Sequence, residues 1–228
     1  MRRGLTAILM GLTLCGAVWL LWPRPTPDIR DMPFSAQAPE GRPLHIVAFG
    51  TSLTARALWP DQVAESLSAC IGAPVTAARI ATAGANSADG LQMIERVVGQ
   101  NPDLVFVEFA INDADILDGL SPRKSRDMHA AIIRKLRTAR PDLAIVLIAT
   151  NPASGLRGLA RPRLDAYYGA YPEIAQSEGT GFLAAYPRWL AKGTGAITDG
   201  LHPEPDAEAD LMRAPLVTLV AQAYGFDC

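Results

Sequence analysis

The chain has 228 residues, 49% of them hydrophobic and 19% charged, with a formal net charge of −2. That length suits one domain with a full core, and the slight negative charge offers no basic field for nucleic acid. Three cysteines without a Cys-x-x-Cys pair argue against a thiolate metal site.

Arg2 and Arg3 precede an uncharged, mostly apolar run from Gly4 to Trp22. At about 1.5 Å per residue that run is just long enough to cross a bilayer. Positive charge ahead of it favours export of the chain beyond Trp22. The expectation over 1–22 is therefore a signal peptide or membrane anchor, with membrane contact through this segment. Pro23-Arg-Pro-Thr-Pro27 lacks a small-x-small site beside the run, and Ala36-Gln-Ala38 lies far downstream. Leu12-Thr-Leu-Cys15 is a weak lipoprotein signal because Leu14 is bulky. An uncleaved anchor, a cleaved signal peptide and a lipoprotein all stay open.

Residues 23–43 are proline-rich and read as a stiff linker, leaving 44–228 as the domain. Apolar runs at His45–Phe49, Val75–Ile80, Leu104–Ala110, Leu143–Ala149 and Gly181–Ala185 predict strands. Helical patterns lie near 59–71, 88–99, 122–139, 160–177 and 206–224, the last with Pro215 expected to kink it. Across 123–140, Arg123, Lys124, Arg126, Arg134, Lys135, Arg137 and Arg140 flank Met128, Ile132 and Leu136 at helical spacing. That pattern is the solvated basic face of an amphipathic helix. Unalternated runs such as Leu104-Val-Phe-Val107 fit strands covered on both faces. The alternation predicts an α/β fold: a three-layer α/β/α sandwich around a parallel, flavodoxin-like doubly wound sheet.

The first strand ends abruptly in Gly50-Thr51-Ser52, which would display a serine hydroxyl at the carboxyl edge of the sheet, where open α/β folds bind ligands. A hydroxyl is a poor nucleophile until an oriented base takes its proton. Of three histidines, His45 opens a strand at the far edge and His129 falls inside the basic helix. His202 comes after the last strand in a polar loop, and Asp199 lies three residues before it. Asp199 can hold Nδ1 of His202 and leave Nε2 for Ser52. Acyl transfer also needs donors for a developing oxyanion. Gly84, after the second strand, permits close approach of a backbone N–H, and the Asn112 amide, after the third, can donate. Taken singly, each of these is an ordinary turn or cap; together, four loops bring Ser, Gly, Asn and Asp/His to one edge.

This ordered set resembles the SGNH hydrolases, also called the GDSL esterase/lipase family, over Leu44 to Tyr224. The blocks are Phe49-Gly-Thr-Ser-Leu-Thr54, Gly84, Ala110-Ile-Asn-Asp113 and Asp199-Gly-Leu-His-Pro203. The resemblance implies Ser52 as nucleophile, His202 as base and Asp199 as its orienter. It also implies an oxyanion hole from the backbone N–H groups of Ser52 and Gly84 plus the Asn112 side chain. Two positions depart from the pattern. Thr51 stands where an aspartate is usual, which removes a carboxylate from the support of the turn. Ala110 stands where a glycine is usual, and its methyl is expected to narrow the site. No Gly-x-Ser-x-Gly, Gly-x-Gly-x-x-Gly, Walker loop or His-Glu-x-x-His occurs, so no metal and no cofactor is expected.

Other residues carry two readings each. Trp59 either lines an acyl pocket or packs a helix start. Glu108 either tunes the site electrostatically or is a hydrogen-bonded structural carboxylate. The loops 151–161 and 192–198 are expected to shape the pocket. In a 2-1-3-4-5 strand order the first and last helices lie side by side, which would bring Cys70 and Cys228 together as a disulfide.

The expected function is an exported serine esterase that cleaves an ester or thioester through an acyl-enzyme on Ser52. Its partners would be a small-molecule, lipid or carbohydrate ester, and it would act as a monomer at the cell envelope or secreted. An O-acyltransferase acting on envelope carbohydrate with the same site, or a non-catalytic binding module, are the alternatives.

Overall fold

The computed structural model describes residues 27–228. The proposed signal or anchor over 1–22 lies outside the described residues. Among the described residues, no helix is long and apolar enough to cross a membrane.

The strands are β1 (Leu44–Gly50), β2 (Val75–Ala81), β3 (Leu104–Glu108), β4 (Ala144–Ala149) and β5 (Gly181–Ala184). All neighbouring pairs run parallel, in the order β2-β1-β3-β4-β5. This is the expected strand order. β3 stops at Glu108, two residues short of the apolar run, because Phe109 leaves the extended conformation and caps a short helix.

The helices are α1 (Ser52–Arg56), α2 (Trp59–Ile71), α3 (Ser87–Gln92), α4 (Ile94–Val98), α5 (Ala110–Asp113), α6 (Pro122–Ala139), α7 (Gly155–Leu159), α8 (Leu164–Gly169), α9 (Tyr171–Glu178), α10 (Ala185–Lys192) and α11 (Pro205–Ala223). The pattern at 88–99 divides into α3 and α4 at Met93, which is the C-cap of one and the N-cap of the other. The pattern at 160–177 divides likewise at Ala170. α11 continues through Pro215.

Alternation along the strands builds two cores, because successive side chains point to opposite faces. Val47, Phe49, Val105, Val107, Ile145 and Leu147 pack under α4, α6, α8 and α9. Ile46, Ala48, Leu104, Phe106, Val146 and Ile148 pack under α2, α10 and α11. The sheet is therefore flanked by helices on both faces. On α6 the buried positions are Ser125, His129, Ile132, Ile133 and Leu136, while Arg134 and its basic neighbours face solvent.

Residues 27–36, read from the sequence as part of the linker, lie against the domain. Met32 bridges to Phe182 antiparallel to β5. Asp31 accepts from the backbone N–H of Ala184 (2.9 Å) and pairs with Arg188 (2.6 Å). Ile29 enters the first core.

α2 and α11 pack side by side. Cys70 near the end of α2 is joined by a disulfide to Cys228, with Cα atoms 5.8 Å apart and 158 residues between them in sequence. Two glutamates are also buried, Glu108 at the end of β3 and Glu208 in α11. Burial raises Glu108 from near 4.5 to about 7. Burial, with the nearby Glu108 charge, raises Glu208 to about 8.

Replacing both Cys70 and Cys228 with Ser should lower unfolding free energy by up to about 5 kcal/mol, the entropy of so long a closed loop. Denaturant unfolding of the double variant against the oxidised protein measures this; equal midpoints would contradict it. The buried carboxyls predict a pH slope of definite sign. The unfolded chain releases both protons near 4.5, whereas the fold keeps them to about 7 and about 8. Native protein thus binds more protons than unfolded protein over that window, so stability falls as pH rises from about 5 to 8. Glu208→Gln should flatten the slope in unfolding curves taken across this range, and stability that rises with pH would contradict the assignment.

Candidate active site

The parallel order gathers the carboxyl ends of all five strands at one edge, and the neighbours of β1 lie on opposite sides of it. Ser52 stands just beyond β1 as the first residue of α1. Thr51 caps that helix, its Oγ1 accepting from the backbone N–H of Leu53 at 3.2 Å. A position at the start of a helix leaves the Ser52 backbone N–H without an intrahelical acceptor.

The loop from β5 to α11 supplies the other reactive groups. Oγ of Ser52 lies 2.8 Å from Nε2 of His202. Nδ1 of His202 lies 2.6 Å from Oδ2 of Asp199. The second carboxylate oxygen of Asp199 accepts the backbone N–H groups of Leu201 (2.9 Å) and His202 (2.7 Å). The hydrogen bond with the His202 side chain, and after it that with the His202 backbone, holds Asp199 well below the usual carboxylate range. An ionised Asp199 can only accept, so Nδ1 of His202 carries the hydrogen and donates it to that carboxylate, and Nε2 is the acceptor for the serine hydroxyl. Gly200 makes the turn at φ +79°, and any side chain there would run into the carbonyl of Ser154. That segment also pins the loop: Ser154 N–H donates to the Gly200 carbonyl (2.8 Å) and the Asn151 amide to the Leu201 carbonyl (2.8 Å).

A cleft of about 370 Å³ opens over this row of groups and is lined by Ser52, Gly84, Asn112 and His202. Gly84 adopts φ +79° with open space where a Cβ would stand, a conformation that glycine takes at no steric cost. The Asn112 side chain is oriented at both ends. Its amide N–H₂ donates to the Ala85 carbonyl (3.0 Å), and its oxygen accepts from Arg161 (3.3 Å). One amide N–H stays uncommitted among the described residues. Each sequence-derived site residue, Ser52, Gly84, Asn112, Asp199 and His202, is thus found at one cleft, with Asp199 behind the imidazole.

The expected weakness at Thr51 does not arise, because Glu108 supplies the carboxylate. One oxygen of Glu108 accepts from Thr51 N–H (2.7 Å), Thr51 Oγ1 (2.9 Å), Thr54 N–H (3.2 Å) and Thr54 Oγ1 (2.8 Å). A Cβ on Gly50 would collide with that carboxylate, so glycine is what lets Glu108 reach under the turn. Ala110 does not narrow the cleft; it is buried beneath it, its N–H donating to the Tyr171 hydroxyl at 3.3 Å. Trp59 packs edge-on against Phe106, with centroids 5.4 Å apart, and does not reach the cleft.

Two supports escaped the reading of the sequence. Arg161 is buried and donates to the Ile111 carbonyl (2.7 Å), pairs with Asp115 (2.9 Å) and holds Asn112. Asp113 accepts from the N–H and hydroxyl of Ser87, both at 2.7 Å, and so ties α3 to the end of α5. The Ala110–Asp113 block carried a signal for Asp113, whereas nothing marked Arg161 apart from the other loop arginines. Of the two loops expected to shape the pocket, 151–161 contributes Arg157 and Arg161, and 192–198 contributes no lining residue.

The sequence matches the GDSL-like Lipase/Acylhydrolase family over residues 48–209. No curated protein matches the sequence significantly. Among solved structures, a lipase/acylhydrolase from Enterococcus faecalis is similar at TM-score 0.68 and 22% identity, covering 81% of this chain and 97% of that one. A catalytic mutant of Axe2, an acetylxylan esterase from Geobacillus stearothermophilus, is similar at TM-score 0.62 and 16% identity, covering 86% of this chain and 98% of that one. These are likenesses of fold. Because the family match runs from the end of β1 to the start of α11, the chain belongs to the GDSL-like lipase/acylhydrolase family, hydrolases that act on ester bonds.

Proposed function

We propose that the chain is an exported serine esterase that works through an acyl-enzyme on Ser52. The observation that carries the reading is the 2.8 Å contact between Ser52 Oγ and His202 Nε2, in line with the 2.6 Å contact from Nδ1 to Asp199. His202 takes the hydroxyl proton as Oγ attacks the ester carbonyl, and the ionised Asp199 stabilises the resulting imidazolium. The oxyanion is received by the backbone N–H groups of Ser52 and Gly84 and by the free Asn112 amide N–H. His202 then returns its proton to the leaving alkoxide. Water attacks the acyl-enzyme with the same imidazole as base and releases the acid.

The cleft lining supports a substrate with a short acyl group on a polar alcohol. Beyond the reacting groups it presents Arg56, Asp115, Asp118, Arg157 and Arg161, with only Ala83 and Leu201 as apolar lining. The acetylxylan esterase among the structural neighbours fits a carbohydrate ester. Export rests on the apolar run from Gly4 to Trp22 and on the Cys70–Cys228 bridge, which persists in oxidising compartments. In this reading 1–22 is the signal peptide or anchor, 23–43 joins it to the domain at 44–228 with its residues 27–36 packed against that domain, and the enzyme is a monomer.

Ser52→Ala should lower kcat for a short-chain p-nitrophenyl ester by at least about 10³-fold, and Asp199→Asn by about 10²- to 10⁴-fold. Stopped assays against p-nitrophenyl acetate measure both, and a wild-type rate in Ser52→Ala would overturn the assignment. Glu108→Ala, which strips four acceptor contacts from the turn, should lower kcat by about tenfold or more with little change in KM. Glu108→Gln keeps an acceptor oxygen and should retain most of the activity. Equal losses in the two variants would contradict the positioning role of Glu108.

A further inference from the structure

The rim of the cleft carries an apolar patch that the ester chemistry does not use. Ile116 and Leu117, in the loop after α5, are 66% and 80% exposed. Leu156 and Leu159, on α7, are 85% and 69% exposed. The two segments are neighbours, since Ile116 N–H donates to the Ala160 carbonyl at 2.9 Å. Leu156 and Leu159 are three residues apart and share a helix face. α7 buries none of its residues, so the whole turn stands proud of the domain. Four large aliphatic side chains together at a functional edge are not the scattered exposure of an ordinary surface.

Basic groups surround the patch. Arg56, Arg157 and Arg163 are exposed and form no ion pair among the described residues. Arg56 and Arg157 line the cleft itself. Against them stand three acidic groups of this edge: Asp115, which is neutralised by Arg161, Asp199, which is committed to His202, and Asp118. Aliphatic side chains ringed by guanidinium groups match a lipid headgroup layer, where the former enter the acyl boundary and the latter meet anionic phosphates.

A second, independent observation sets the direction. Met32 pairs antiparallel with Phe182, and Asp31 meets Ala184 at the carboxyl end of β5. Traced backwards from Met32, the chain therefore climbs toward the edge that carries Ser52 and His202. Pro27 lies beside Gly169, at that same edge. The described chain thus begins on the side of the cleft, and the apolar run Gly4–Trp22 precedes it in sequence.

We infer that the cleft rim, through Ile116, Leu117, Leu156 and Leu159 with Arg56, Arg157 and Arg163, docks on the surface of an anionic lipid bilayer. The cleft then opens at the headgroup layer. Docking depends on surface chemistry alone, so it stands or falls independently of the ester-cleaving mechanism.

Depth-dependent fluorescence quenching tests it in the full chain, with Cys15→Ser to remove the cysteine outside the disulfide. A fluorophore is attached in turn at Leu117→Cys, Leu156→Cys and, as the control at the opposite edge of the sheet, Gln100→Cys. The probe is a phosphatidylglycerol-containing vesicle with nitroxide-bearing acyl chains, and co-sedimentation verifies that the chain is on the vesicle. Quenching at 117 and 156 should exceed that at 100 by about twofold or more and should weaken on vesicles of phosphatidylcholine alone. Equal quenching at all three positions would overturn the proposal, as would unquenched labels at 117 and 156 on sedimented chain, the result expected if the patch instead receives a protein. Quenching that is equal on neutral vesicles would overturn the assignment of an anionic surface.

Discussion

A hydrogen bond 2.8 Å long joins Ser52 to His202 across 150 residues of chain, and the architecture exists around that contact. Local contacts orient each residue, as Asp199 does for His202, but none brings the two together. Ser52 is delivered by β1, in the middle of the sheet, and His202 by the loop between β5 and α11. Because every strand is parallel, every strand ends at the same edge, and the loops leaving those ends converge. The two apolar cores fix the sheet on both faces, and the disulfide ties the last residue back to α2.

Positioning at this edge is done by charged groups held out of water. Glu108 gathers four donors from Thr51 and Thr54 under the turn that presents Ser52. Its burial raises its pKa to about 7, so the same group that orders the turn makes the fold sensitive to pH. Arg161 does for the Asn112 amide what Glu108 does for the serine turn, binding the oxygen end so that the N–H₂ end is fixed. Asp113 secures the same block from the other side through Ser87. A carboxylate and a guanidinium in such places cost desolvation energy, which saturated hydrogen bonding offsets. What this yields is geometry rather than bulk stability.

Much of this was legible in the amino-acid sequence. The strands at 45–49, 75–80 and 181–185 and the helices at 59–71 and 122–139 came from apolar runs and β-α alternation, and the strand order from reading the sheet as flavodoxin-like. Ser52, Gly84, Asn112, Asp199 and His202 were legible only as a set: each is ordinary in a turn, but a parallel sheet brings the turns after its strands to one edge, and their order resembles the blocks of one family. The helix break at Met93 was not, since methionine is no helix breaker and tertiary packing decides there; the break at Ala170 did carry a local signal, Gly169 at the end of α8 and Pro172 in the first turn of α9, which cannot continue a helix. The role of Glu108 was only half legible: a carboxylate in an apolar strand must find donors, but which donors depends on a register 57 residues away. Arg161 was illegible for the same reason, as its partners come from α5 and the loop beyond it. The exposed aliphatic rim was hidden too, because Ile116, Leu117, Leu156 and Leu159 look like core residues until their surroundings are known.

The chemistry proposed for this fold requires the Ser52 hydroxyl to be a nucleophile activated by His202. Intact-mass analysis after exposure to a fluorophosphonate, with peptide mapping of the product, probes that requirement without any assumption about substrate. A single adduct is expected on the peptide that carries Ser52, formed rapidly in the wild-type chain and far more slowly in His202→Ala. A chain that keeps its unmodified mass, or an adduct mapped to any other residue, would contradict it.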